Sequence, residues 1–116
     1  MPSLTLHIDQ TLARTRLDAD TRDGLRQALE DAVQTHLKPA PQTFQCDMIV
    51  CETCGPTYPV SMALHFRATG ARSEPVVAAC LADIGAAIEA HLGSGARLRA
   101  FAVDQSGLFA LDHKPS

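Results

Sequence analysis

The chain has no run of Lys and Arg and no interleaving of basic with aromatic residues, and its ten basic residues face thirteen acidic ones for a formal charge of −3. A nucleic-acid partner requires a cationic surface to neutralise phosphates, so none is expected. No apolar run approaches the ~20 residues of a membrane-spanning helix. The first residues also lack the basic segment and apolar core of a secretion signal, and the expectation is a cytoplasmic protein without a membrane partner. Low-complexity tracts and linker-like Gly/Pro concentrations are missing as well. The pair in Cys51-Glu52-Thr53-Cys54 has a spacing that can bind zinc or exchange disulfides, but no second pair stands at finger spacing. With 46% hydrophobic residues a core forms without crosslinks, so the four cysteines are read as free thiols and no metal site is expected. A length of 116 residues allows one domain, 1–116.

Within that frame the chain says nearly the same thing twice. Residues 3–15 align without a gap on 61–73, with identity at Ser3/Ser61, Leu6/Leu64, His7/His65, Thr11/Thr69, Ala13/Ala71 and Arg14/Arg72. After a three-residue slip, Leu25, Leu29, Val33, His36 and Leu37 match Cys80, Ile84, Ile88, His91 and Leu92. A duplicated unit follows, with repeats over about 2–58 and 61–110.

Each copy opens on a period-2 alternation, Leu4, Leu6 and Ile8 against Thr5, His7 and Asp9, which marks a strand covered on one face. From about Asp20 to Leu37 the apolar residues change to helical spacing, with Asp20 or Thr21 available as N-cap and Lys38-Pro39 as the stop. In the second copy Ser73 is the expected N-cap, Pro75 sits harmlessly in the first turn, and Gly93 follows the last periodic residue, Leu92. Strand-like runs from Phe44 to Thr53 and from Leu98 to Gln105 complete two βαβ units. Right-handed crossovers then give an α+β (α/β) domain: a four-stranded mixed sheet with two helices on one face. The other face would carry Thr5, His7, Ala63, His65 and Arg67. Sheets with parallel pairs are usually covered on both sides, so a further subunit is expected there.

Pro2 directly after Met1, the duplicated βαβ unit and arginines at the strand-to-helix turns together resemble the tautomerase superfamily. Within it, the stretch Met62-Ala63-Leu64-His65-Phe66-Arg67-Ala68-Thr69-Gly70-Ala71-Arg72-Ser73 is most similar to 5-carboxymethyl-2-hydroxymuconate isomerase-like proteins. The arrangement is also similar to 4-oxalocrotonate tautomerase and macrophage migration inhibitory factor. The resemblance implies a homotrimer or hexamer, with a homotrimer expected here. It implies a cofactor-independent isomerase or tautomerase, acting on a small anionic enol or unsaturated keto acid such as a 2-hydroxymuconate derivative from aromatic catabolism. Its acid–base would be Pro2, exposed as a secondary amine once Met1 is removed and kept neutral by burial and nearby arginines. Arg72, beside a helix N-terminus, and Arg14 in the first copy are expected to hold substrate oxygens. Arg99 occupies a strand position that often carries a functional arginine in such enzymes, and is expected to stabilise enolate charge. An ion pair with Asp104 or Glu52 is the alternative role for Arg99. The matching first-copy position falls near Cys46-Asp47, where a carboxylate would repel an acid. That departure motivates a second reading: a non-catalytic oligomeric binding protein of the same fold, or a different reaction of the superfamily.

Overall fold

Strand β1, Ser3–Asp9, follows from its alternation: Leu4, Leu6 and Ile8 are wholly buried while the residues between them are half-buried. The computed structural model describes residues 2–53 and 58–115; Met1 and Cys54 lie outside the described residues. Helices α1, Gln10–Arg16, and α2, Ala19–Leu37, lead to β2, Gln45–Cys51; then β3, Val60–Arg67, helix α3, Glu74–Leu92, and β4, Arg97–Val103, repeat the unit. A single 3-10 turn, Gln105–Gly107, precedes a tail that leaves Phe109 and Leu111 exposed.

The strands stand in the order β2-β1-β3-β4. Each βαβ unit supplies one parallel pair, and the units meet through the antiparallel pair β1–β3, so the sheet is mixed. Even-numbered residues of β1 and β3 face the helices. Against Val60, Met62, Leu64 and Phe66 of β3 pack the α2 row Leu25, Leu29, Val33, Leu37 and the α3 row Cys80, Ile84, Ile88, Leu92. Residues four apart share one face of a helix, which is why each row is a continuous seam. No polar or charged residue is buried among the described residues. By composition alone α3 is long and apolar enough to cross a membrane, but this buried row makes it a core helix. The two long helices run antiparallel: His36 Nε2 donates to Asp83 Oδ2 at 2.6 Å, and His91 Nδ1 donates to Ala87 O while its ring lies against Gly24.

Helix α1 is the main departure from the sequence reading. Asp9 caps it, its Oδ2 accepting from Thr11 N at 3.0 Å, whereas the second copy makes only a turn here, with Arg72 N donating to Thr69 O. The gapless alignment of the copies therefore holds structurally only to the end of the strands. Beyond it the three-residue slip applies, so Asp18 and Ser73 are the equivalent N-caps. Arg14 lies inside α1; Arg72 lies immediately before the α3 cap.

The N-cap of α2 is thus Asp18, not Asp20 or Thr21. A cap residue must be extended while its side chain reaches forward, and Asp18 is (φ −80°, ψ 176°), its Oδ1 accepting from Thr21 N at 2.7 Å. Asp20 sits two residues past the cap, in the first turn, where its charge meets the helix dipole. Hydrogen bonds from Thr21 hold the Asp18 carboxyl below the usual aspartate range. A lowered folded-state value means this stabilisation is full above the unfolded aspartate range and is lost as pH falls through the folded value. Asp18→Ala should lower the thermal midpoint by a few degrees near neutral pH. Repeating the melts in acid should shrink that gap.

At the other ends, Lys38 takes the left-handed conformation (φ 48°) and Gly93 likewise (φ 65°). The Arg16 guanidinium lies over Gly93, its Nη1 2.8 Å from where a Cβ would stand. Arg16 thereby sits against the C-terminal end of α3, where a cation suits the dipole.

Candidate functional site

Pro2 ends one side of the sheet. Its side chain is fully buried, and its carbonyl accepts from Gln45 N at 3.1 Å, which ties it to the start of β2. Ser3 lies opposite His65, so Pro2 lies beside the Phe66 end of β3. Both Pro2 and Phe66 are buried, in phase with the core-facing residues of their strands.

Arg72 stands at this same end of the sheet. Its Nε donates to Leu37 O at 3.2 Å and its Nη1 to Arg67 O at 3.0 Å. Two of its donors therefore tie the end of α2 to the end of β3. The rest of the fork remains for a ligand. It borders a cleft of about 460 Å³ lined by Thr35, His36, Leu37, Lys38, Thr69, Ala71, Arg72 and Val76. Ser73 makes no side-chain bond to the first turn of α3, so that turn's free N–H groups add to the favourable potential for an anion. Lys38, the left-handed C-cap of α2, and His36, which already donates to Asp83, complete the lining; in sequence they showed only as the helix stop and as a repeat-matched residue of the last turn.

Arg99 lies elsewhere. In β4, Arg97, Arg99 and Phe101 alternate with the half-buried Leu98 and Ala100 and project from the face opposite the helices. Arg99 Nη1 donates to Leu98 O, and among the described residues it makes no ion pair with Asp104 or Glu52. With His7, Ser61, Met62, Ala63, Arg97 and Phe101 it borders a shallow cleft of about 240 Å³. Phe101 stacks on His65, ring centroids 4.8 Å apart. Arg97 was legible from the same alternation that places Arg99.

Arg14 is at the end of β1 remote from Pro2, bordering a cleft of about 470 Å³ with Gln10, Ala13, Leu17, Arg22, Met48 and Val50. No described cleft contains two of Pro2, Arg72, Arg99 and Arg14. Within one chain, the sheet brings Pro2 and Arg72 to a common end and separates the other two.

No model of a known family matches the sequence, and no curated protein matches it either. Solved structures do match. The chain is similar to a fused 4-OT described as a symmetric trimer, at 16% identity and a TM-score of 0.72, over 93% of this chain and 90% of that one. It is also similar to Pt0534 inactivated by 2-oxo-3-pentynoate, at 13% identity and TM-score 0.70, covering 91% and 89%. Leishmania major MIF2 matches at 17% identity and TM-score 0.65, covering 89% of each chain. The chain has the tautomerase fold. At these identities the likeness is one of architecture: the tautomerase fold accounts for the duplicated βαβ units and the mixed sheet.

The thiols are arranged for packing. Cys80 donates to Ala32 O from the core, and Cys46 lies half-buried beside it; burial pushes both up to about 11. A thiol that stays protonated at neutral pH is a poor nucleophile. Ellman's reagent at pH 8 should leave Cys46 and Cys80 largely unmodified until denaturant is added, and rapid modification of both in the folded protein would contradict this packing.

Proposed function

We propose that this chain is a cofactor-independent tautomerase or isomerase of a small enol or unsaturated keto acid, a 2-hydroxymuconate derivative being the first candidate. The carrying observation is the enclosure of Pro2 at the end of the sheet where Arg72 joins α2 to β3. Freed of Met1, Pro2 would present a secondary amine in an apolar setting. Burial disfavours its cationic form, leaving it able to take a proton from carbon or enol oxygen and return it elsewhere on the conjugated system. The unengaged donors of Arg72 and the start of α3 would hold a substrate carboxylate or keto oxygen. Inactivation of one fold neighbour by an unsaturated 2-oxo acid supports this substrate class.

Arg99 projects away from the helix face, so it would serve enolate charge at a Pro2 site only from a neighbouring copy. A homotrimer meets that need and covers the open face; neighbours described as trimers support it. Arg14, far from Pro2 in its own chain, would likewise act on anions only at a separate end of the sheet. Ultraviolet-monitored ketonisation of 2-hydroxymuconate and phenylenolpyruvate by Met1-free protein is the test. No turnover by correctly processed, oligomeric protein would remove the catalytic reading and leave a binding protein of this fold.

A further inference from the structure

Helix α1 has no counterpart in the second copy of the unit, which makes only a turn at that point. It packs against β1 and β2 and walls an open cleft of about 470 Å³. That is within the range of about 300–1,000 Å³ usual for small-molecule sites. One carboxylate braces the cleft: Asp9 Oδ2 accepts from Thr11 N at 3.0 Å, at the start of α1, and Oδ1 from Thr53 N at 3.1 Å, just past β2. The same side chain thus fixes α1 relative to β2, and the space between them is preformed. Its lining divides by chemistry. Arg14, Arg22 and Gln10 bring donors to it, and no carboxylate lines it among the described residues. Arg14 makes no ion pair among those residues, and Arg22 meets only Asp23, at 3.8 Å between two exposed side chains, a pairing worth little. The rest of the lining is apolar: Ala13, Leu17 and Met48 pack against the core, and Val50 is left 54% exposed.

We propose that this cleft is a second, non-catalytic site that takes a small organic anion with an apolar body, an aryl or alkyl carboxylate, held by Arg14 and Arg22 at its charged end and by Met48 and Val50 along its hydrocarbon part. Two like charges on one cleft repel each other until an anion comes between them, and a planar guanidinium meets a carboxylate through paired N–H donors. An inorganic anion would leave the apolar lining uncovered, and a neutral hydrocarbon would leave the arginines unneutralised, so both halves of the ligand are read. Arg72, the repeat counterpart of Arg14 in sequence, commits two donors to backbone carbonyls, whereas no such bond holds Arg14 among the described residues. No lining residue titrates near neutral pH, since arginine stays protonated, so the cleft binds and releases its ligand unchanged. The site lies at the end of β1 remote from Pro2 and is independent of whether Pro2 acts as a base.

Titration of the isotope-labelled full chain with 2-naphthoate, followed by amide correlation spectra, tests this, with 2-naphthamide as a neutral probe of the same shape. Naphthoate should saturate with a Kd of about 1 mM or below. The shifted amides should lie between Gln10 and Arg22 and around Met48 and Val50. Naphthamide should bind about tenfold more weakly, and Arg14→Gln and Arg22→Gln should each weaken naphthoate by about the same factor. Val50→Ser should weaken both probes and keep the preference for the charged one. All three positions are exposed, and the spectra themselves report whether each variant is folded. Arg72→Gln should leave the shifts in place. Failure of naphthoate to saturate, equal binding of the two probes, shifts centred on Arg72 and Pro2 instead, or unchanged affinity in both arginine variants overturns the site, and none of these outcomes bears on turnover at Pro2.

Discussion

Pro2→Ala, prepared free of Met1, should lower kcat for ketonisation by about 10²-fold or more, the scale at which a positioned acid–base contributes. Alanine keeps a terminal amine but loses the ring that fills the buried position. Protein that retains Met1 should be as inactive, because an amide nitrogen at Pro2 has no basicity. The pH profile carries the sign. The neutral amine is the competent base, so kcat/KM should rise as pH climbs through its pKa. Burial disfavours the protonated form and places that limb below the ordinary α-amino range. An unchanged kcat in Pro2→Ala, or a limb at or above that range, would discard Pro2 as the base.

Phe66→Ala should produce the largest loss of stability, about 3–5 kcal/mol for removal of a buried aromatic ring. Phe66 is 4% exposed, on a central strand, and lies at the end of the sheet that Pro2 closes. Phe66 belongs to the core cluster formed with both long helices, so its loss leaves a cavity in that core. Urea unfolding at matched protein concentration should show the loss, matching being needed because association itself stabilises the folded chain. Phe66→Leu should recover much of it. A small effect from Phe66→Ala would mean that the end of the sheet around Pro2 is loosely packed, and the enclosure argued for its amine would fall with it.

Much of the architecture was legible because each strand and helix is amphipathic with the period of its own backbone. Leu4, Leu6 and Ile8 alternate, Cys80, Ile84, Ile88 and Leu92 recur every four residues, and the same residues are buried. Ser73 and Gly93 bound α3 at the positions expected from the sequence, Gly93 in the left-handed conformation. Helix α1 was not legible, since Gln10–Arg16 reads in sequence as a copy of Ala68–Arg72 and part of the next turn, and the two segments differ in backbone rather than in residue type. The same gapless match made Arg14 look equivalent to Arg72. The structural slip undoes that equivalence, and Arg16 instead meets the end of α3. The double backbone tie of Arg72 was also hidden, because its acceptors, Leu37 O and Arg67 O, belong to other elements.

By itself the sequence determined the two repeats, the sheet with helices on one face, the core rows and the unusual proline at position 2. These are local consequences of periodicity and of residue type. Tertiary structure alone decided which ends of the strands coincide. The antiparallel junction of β1 with β3 brings Arg72 to the end held by Pro2, sends Arg14 to the opposite end, and leaves Asp47 and Arg99 on opposite edges of one row. Strand order and register depend on pairings between distant segments, and no local pattern encodes them.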